Sequence, residues 1–277
     1  MGAAPSNTGP SAGAYGRDAR RREDICRFAR VSSPCRNRAG RCWEDGRVNH
    51  AGAEVSVDRP VDGTPLRSYK RRTSRVTPSQ ADALARLWSS MGVDVDGHRL
   101  DLAGLFGRAA PLVLEIGFGM GDATAEMAAA QPELDVLAVD VHTPGLGGLL
   151  REVEARGLSN VRVAGGDANL LLSAMLPALS LQEVRIFFPD PWPKTRHWKR
   201  RLLDEAFLSL LAVRLVPGGR VHLATDWPHY AEQVRRLVTG HASYDLVDAV
   251  PWRPRTRYEQ LGIDAGRPAL DVVAVRR

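Results

Sequence analysis

Asp190 stands in the segment FFPDPWPKTRHWKRRL, residues 187–202, with a proline on each side and a crowd of cations after it. Phe187 and Phe188 read as the end of a buried strand. Pro191 and Pro193 cannot continue its ladder, so the acid is held at a strand's carboxyl end. In open α/β sheets that rim is where ligands bind. Lys194, Arg196, His197, Lys199, Arg200 and Arg201 follow, a density of positive charge suited to polyanionic phosphate. Trp192 and Trp198 lie among them. Flat aromatics beside cations suit nucleobases, which need a stacking surface next to their phosphates. The plainer alternative makes Asp190 a cap for a helix beginning near Lys199, and the basic run an ordinary charged face.

A second group of residues points to a cofactor. Glu115-Ile116-Gly117-Phe118-Gly119-Met120-Gly121 places alternate glycines at a strand-to-helix turn, where backbone can approach a ligand closely. A dinucleotide fingerprint would carry glycine where Asp122 stands. Asp140 ends the next strand, where a carboxylate accepts hydrogen bonds from both ribose hydroxyls of an adenosine. Asp167, in GGDA after the third strand, is placed to accept from an adenine amino group. Glu115 adds negative charge just before the glycines. Several acids around one pocket suit S-adenosylmethionine, with its positive sulfonium and ammonium, better than the pyrophosphate of NAD. Taken singly, each acid also reads as a helix cap or turn residue.

The elements that must position these groups alternate in the manner of a parallel sheet. Strands are expected at 111–116, 135–141, 161–165, 183–188 and 219–225, with helices at 121–131, 144–157, 168–178, 200–215 and 228–238. Apolar runs near 244–248 and 269–275 complete a seven-stranded sheet as a terminal hairpin. The expected fold is α/β: a doubly wound, mostly parallel, Rossmann-like sheet with helices on both faces. Ahead of it, Thr77-Pro78-Ser79-Gln80 combines a capping box with proline at the first helical position. A helix should run from there to Met91, with Ala81, Leu84, Ala85, Leu87 and Trp88 as its apolar stripe and Gly92 as its stop.

Residues 1–62 show neither periodicity and are rich in Gly, Ala, Ser, Pro and Arg, which reads as a disordered extension before a domain spanning 63–277. A passive tail and an over-extended gene start are both compatible with it. In RSYKRR, Arg67, Lys70, Arg71 and Arg72 form a second basic patch around Tyr69.

The chain has 277 residues, a formal charge of +6 and an apolar fraction of 44%, enough for a sizeable core and favouring a polyanionic partner. No apolar run approaches a membrane span and no signal-peptide core is present, which places the chain in the cytoplasm, away from membranes. Cys26, Cys35 and Cys42 lack zinc-site spacing, so free thiols and no metal are expected; a zinc site completed by His50 is the alternative.

The motifs RSYKRR, LEIGFGMG, VDVHTPGLGGLL, FFPDPWPKTRHWKRRL, LATDWPHYAE and TRYEQLG together resemble the bacterial tRNA (guanine-N7)-methyltransferases, class I methyltransferases that use S-adenosylmethionine. The resemblance covers roughly residues 67–275. It implies that Glu115, Asp140, Asp167 and Asp190 line the cofactor site, and that Lys194, Asp226, Thr256, Arg257, Tyr258 and Glu259 bind substrate. It also implies a tRNA partner and a guanine of the variable loop as target, giving 7-methylguanosine. Without it, Asp226 reads as an N-cap and TRYE as a loop. Asp140 stands where the family often has Glu, and Trp198 where Asn is commoner. Guanine N7 carries a lone pair and no proton at neutral pH, so Asp190 is expected to orient the reactants and stabilise positive charge rather than take a proton. Asp226 or Glu259 would accept from the guanine edge, and Trp192, Trp198 or Tyr258 would stack on the base. A monomer is expected, with a homodimer as the alternative. Rival readings are a class I methyltransferase with a protein or small-molecule acceptor, a non-catalytic RNA-binding protein on the same fold, and a nicotinamide-dependent dehydrogenase.

Overall fold

Thr77 starts the first helix, α1 (Pro78–Met91), by a reciprocal cap: its Oγ1 accepts from the Gln80 amide, and its own amide donates to Gln80 Oε1 at 2.9 Å. The buried face is Ala83, Leu84 and Trp88, while Ala81 and Ala85 are exposed, so the stripe lies a little round from where the sequence suggests. Gly92 ends the helix in an extended rather than left-handed conformation (φ −87°, ψ 149°). A Cβ there would sit 2.3 Å from Trp88 Cδ2, so the position is glycine because an indole packs against its backbone. The computed structural model describes residues 75–277, together with the short strands Trp43–Glu44 and Arg47–Val48, which pair antiparallel. The rest of the expected extension, Cys26, Cys35, Cys42, and the RSYKRR cations Arg67, Lys70, Arg71 and Arg72 lie outside the described residues.

The main sheet has eight strands, one more than expected. In chain order they are β1 (Gly92–Asp94), β2 (Leu112–Ile116), β3 (Asp135–Asp140), β4 (Val161–Gly165), β5 (Leu181–Phe187), β6 (Leu215–Thr225), β7 (Tyr244–Val247) and β8 (Leu270–Arg276). The spatial order is β1-β4-β3-β2-β5-β6-β8-β7, parallel throughout except for β8, which runs antiparallel to both β6 and β7. The additional strand is the edge strand β1, three residues paired with Val163–Gly165, too short to carry a period of its own.

Strict alternation along the central strands fills both faces. Leu112, Leu114 and Ile116 join one core with Leu137 and Val139, whereas Val113, Val136 and Ala138 join the other. Against the second core pack α1, α3 (Asp122–Ala130) and α4 (Thr143–Arg156). Against the first pack α2 (Leu102–Phe106), α6 (Glu205–Arg214) and α7 (Pro228–Gly240). So does the short α5 (Ala168–Leu170) with the π-helical turn Leu171–Met175 that continues it. The basic run does not begin α6. It forms a 3-10 turn, Thr195–Arg200, and α6 starts only where Asp204 accepts from the Phe207 amide at 2.8 Å. The chain winds outward from β2 through β3 and β4 in one direction, then from β5 to β6 in the other. The carboxyl ends of β2 and β5 therefore flank the topological switch point.

Candidate active site at the carboxyl rim

Past β2 the chain turns through Gly117, Gly119 and Gly121, all in the left-handed region (φ +80°, +64° and +90°). They differ in what surrounds them. A Cβ on Gly121 would lie 2.6 Å from Leu149 Cβ, and one on Gly145, in the first turn of α4, only 2.0 Å from the Gly119 carbonyl oxygen. These two glycines let α4 close on the turn. Gly117 has no atom within 4 Å of such a Cβ, so the turn presents bare backbone to open space there.

Behind the turn Glu115 is buried, 3% exposed. Oε1 accepts from Thr124 Oγ1 at 3.0 Å, while Oε2 is buried without a hydrogen-bond partner. Burial pushes this carboxyl up to about 7, against the opposing pull of the Arg185 charge and the Thr124 bond. A cation delivered to Oε2 would complete the site. Asp140 ties the turn to the next strand: Oδ2 accepts from the Gly119 amide at 3.0 Å and Oδ1 from the His142 amide at 2.9 Å. Burial raises its pKa, partly offset by those amides. Asp167 caps α5, accepting from the Asn169 amide at 2.8 Å. Three exposed apolar side chains follow these anchors in the chain, Met120, Val141 and Leu170, and sequence reasoning did not single them out. Their signal is exposure of large apolar groups, which the fold sets and no local sequence pattern carries.

The turn after β5 is strained. Phe188 (φ 51°) and Trp192 (φ 44°) occupy the left-handed region on either side of Asp190, a conformation costing bulky residues roughly 1–3 kcal/mol each. The surroundings hold it. The Phe188 amide donates to the Ala224 carbonyl at 2.7 Å, and Arg201 Nε donates to the Pro191 carbonyl at 2.9 Å. Arg201 is 3% exposed, stacked over Trp198 and Tyr230 at 5.0 and 4.7 Å, and bonded to His229 and Gln233. It is thus a buried brace for the Asp190 turn rather than part of the surface patch expected of it. Lys194, Arg196, Lys199 and Arg200 are exposed. His197 is half-buried, and burial together with the Arg196, Arg200 and Lys194 charges depresses its pKa. Trp198 stacks on His229 (centroids 4.2 Å apart) and Trp192 lies under Arg200 at 5.1 Å. Both rings are thereby built into the turn.

The third wall comes from β6 and α8 (Arg257–Asp264). Asp226 does not cap α7, whose cap is Trp227; it pairs with Arg267 Nε at 3.0 Å. TRYE is not a loop. Thr256 Oγ1 accepts from the Glu259 amide at 3.1 Å and starts α8, a local cap of the Thr-x-x-Glu kind. Tyr258 reaches back toward the glycine turn, its Cε2 3.9 Å from where a Cβ on Gly119 would be. Glu259 lies in the fork of Arg253 (2.6 and 3.3 Å), which also grips Asp271 (2.8 and 3.0 Å) and lies over Phe187 and Phe188 at 5.7 and 5.6 Å. His222 completes the group by bonding Asp271 at 2.7 Å. Burial raises the Asp271 carboxyl, but the bonds to His222 and Arg253 more than reverse this and hold it at about 2. Arg253, Asp271 and His222 are missed by sequence reasoning because they fall on different elements with no shared spacing.

The rim thus brings Glu115, the glycines, Asp140, Asp167, Asp190 and Asp226 to the carboxyl ends of five adjacent parallel strands, and α8 reaches the same rim. The methyltransferase family model Methyltransf_4 matches residues 109–272, the whole of this arrangement from β2 into β8. A curated tRNA (guanine-N(7)-)-methyltransferase of Streptomyces avermitilis is 53% identical over 215 residues, covering 75% of this chain and 74% of that protein. The protein of that name from Streptomyces coelicolor is 53% identical over 218 residues, 75% of this chain and 80% of its own. That of Halorhodospira halophila is 50% identical over 215 residues, 75% and 93%. On identities of this level over three quarters of its length, the chain belongs to the tRNA (guanine-N(7)-)-methyltransferase family.

Proposed function

We propose that this chain transfers a methyl group from S-adenosylmethionine to N7 of a guanine in the variable loop of tRNA, leaving 7-methylguanosine. The observation that carries the reading is Glu115. A buried carboxylate oxygen without a partner, behind a glycine turn open at Gly117, fits a cationic ligand and does not fit pyrophosphate. Glu115 would meet the ammonium group, Asp140 the ribose hydroxyls, Asp167 the adenine amino group, and Gly117 and Gly119 the backbone-facing edge. The apolar Val141 and Leu170 would flank the adenine. When bound, S-adenosylmethionine supplies an electrophilic methyl group on a positively charged sulfur.

The protein's task on the acceptor side is alignment. Methyl transfer to the in-plane lone pair of N7 would require no proton to move, so the protein need supply no general base. Positioning of this kind supplies on the order of 7–11 kcal/mol of a barrier. Asp190, fixed by a strained turn, offers negative charge where the imidazole ring becomes positive. Asp226, directly after β6 on the same rim, accepts from the guanine N1 and N2 hydrogens, which adenine cannot offer as a pair. Lys194 and the α8 cap residues Thr256, Arg257 and Tyr258 contact the acceptor nucleotide. Arg196, Lys199 and Arg200 carry phosphates, joined by the cations of RSYKRR. The domain expected over 63–277 works as a monomer in the cytoplasm, and no helix among the described residues is long and apolar enough to cross a membrane.

Methyl-labelled S-adenosylmethionine with two tRNA transcripts, guanine or adenine at the variable-loop position, tests this directly. Label should enter the guanine transcript alone, and borohydride followed by aniline should cleave at that base. Label in neither transcript, with cofactor bound, overturns the reading.

A further inference from the structure

Beside the rim lies a shallow hollow of about 360 Å³, open to solvent and lined by Pro251, Trp252, Arg253, Arg255, Glu259 and Asp271. Its size falls within the range of small-ligand pockets, about 300–1,000 Å³. Asp190, Asp226, Tyr258 and the glycine turn are not among its lining residues, and of the residues expected to bind the acceptor only Glu259 is, so the hollow adjoins the reacting base at one residue. The lining has the chemistry of a nucleotide site. Trp252 is 54% exposed, an unusual position for the largest apolar side chain and one that leaves an indole face to stack on. Arg255 is exposed, hydrogen-bonds the neutral Gln260 at 3.3 Å and makes no ion pair among the described residues, so its charge is available to phosphate. Between them the Glu259 and Asp271 carboxylates, fixed by Arg253, retain acceptor lone pairs for the N–H groups of a base edge.

We propose that this hollow binds a second nucleotide of the RNA, near the methylated guanosine in sequence, with its base on Trp252, its edge toward Glu259 and Asp271, and its phosphate on Arg255. The inference rests on the tRNA-methylation reading above. It adds a subsite that would hold the splayed strand at two points, so that the reacting base enters in one orientation.

A cycle between protein and RNA tests it, using full-length transcripts carrying one abasic residue at successive positions around the target. Trp252→Ala should raise KM for the intact transcript roughly five- to hundredfold, the effect of one stacked base, and change kcat little. Trp252→Phe, which keeps a ring, should fall between. One abasic position should raise the wild-type KM by a similar factor and add nothing to the Trp252→Ala variant. Arg255→Ala should lower the slope of log affinity against log salt by about 0.7–0.9. An unchanged KM for folded Trp252→Ala would sink the proposal, and so would penalties that multiply at every abasic position. Should Trp252→Ala not fold, the same cycle with Trp252→Phe decides. Wild-type protein that places no label on guanine N7 is a separate outcome, and it removes the tRNA reading together with this subsite.

Discussion

The glycine turn after β2 and the proline turn after β5 lie side by side at the switch point, yet they differ in how they are held: a buried carboxylate oxygen without a partner behind the first, a backbone braced by its neighbours around the second. On the β2 side Glu115 Oε2 is buried without a partner and Gly117 faces open space. On the β5 side the Pro191 carbonyl is taken by Arg201 and the Phe188 amide by Ala224. If the first turn holds the cofactor as proposed, a cation at Oε2 would couple cofactor binding to local stability there. The second is braced in advance at its backbone, although Trp198 Nε1 and Arg201 Nη2 are buried there without a hydrogen-bond partner. Neighbours hold its strained backbone before any substrate arrives, as expected of a wall whose work is alignment.

The sharpest way to break this contrast is at Asp190. Asp190→Asn keeps the shape of the prearranged turn and removes its charge. Turnover should fall about 10²–10³-fold, the range for one electrostatic contact to a transition state, while cofactor affinity measured by calorimetry stays within a few-fold. Turnover close to wild type would show that the turn matters only as a shape. Arg201→Met comes next. It preserves bulk against Trp198 and Tyr230 but releases the Pro191 carbonyl and Gln233. The single-turnover rate should drop roughly 10- to 100-fold through misplacement of Asp190, with thermal stability lower by about 1–3 kcal/mol for the acceptors left unpaired. A stability loss without the rate loss would make Arg201 a packing residue only.

The same two turns mark what could be read from the sequence. The placement of the glycines and acids at the strand ends was legible because these parts are local: a strand, alternate glycines and an acid at each of the next strand ends follow one another at regular distances. The acceptor side was legible only as far as its motif runs. Asp190 and its cations were evident, but that Arg201 turns inward while Arg200 stays out depends on Tyr230 and Gln233, some thirty residues on. The Arg253–Glu259–Asp271–His222 group is assembled from β6, β8, α8 and the loop before α8 by tertiary folding alone. The edge strand β1 escaped for a different reason. Three residues next to a helix stop carry no alternation, and what makes them a strand is the open edge of β4.

On the β2 side, Glu115→Gln should sharpen the comparison through pH. The folded pKa of about 7 stands above the ordinary 4.5, so the folded state binds the extra proton between those values. Its ionisation therefore weakens the ligand-free fold as pH rises through that window, by at most about 1.4 kcal/mol per pH unit. Melting of the ligand-free wild type should accordingly lose stability from pH 5 to 7, and Glu115→Gln should lack that component. Saturating S-adenosylmethionine should suppress it in the wild type, because a cation beside Oε2 lowers the carboxyl's pKa. A pH profile unchanged by the substitution would mean that the burial of Glu115 is relieved by water rather than awaiting a ligand.

The smallest effect belongs to the cations outside both turns. Lys199 is exposed and on the proposed reading meets RNA by charge alone, in contrast to the buried brace Arg201 two positions on. Lys199→Ala should weaken tRNA binding equally for target and non-target transcripts, and lower the slope of log affinity against log salt by about 0.7–0.9, one phosphate contact, with kcat unaltered. Arg201→Met should do the reverse, changing the rate while leaving the salt slope in place. If both substitutions lowered the slope equally, Arg201 would have to leave its buried position when RNA binds, and the turn holding Asp190 would be rebuilt on binding instead of being set beforehand.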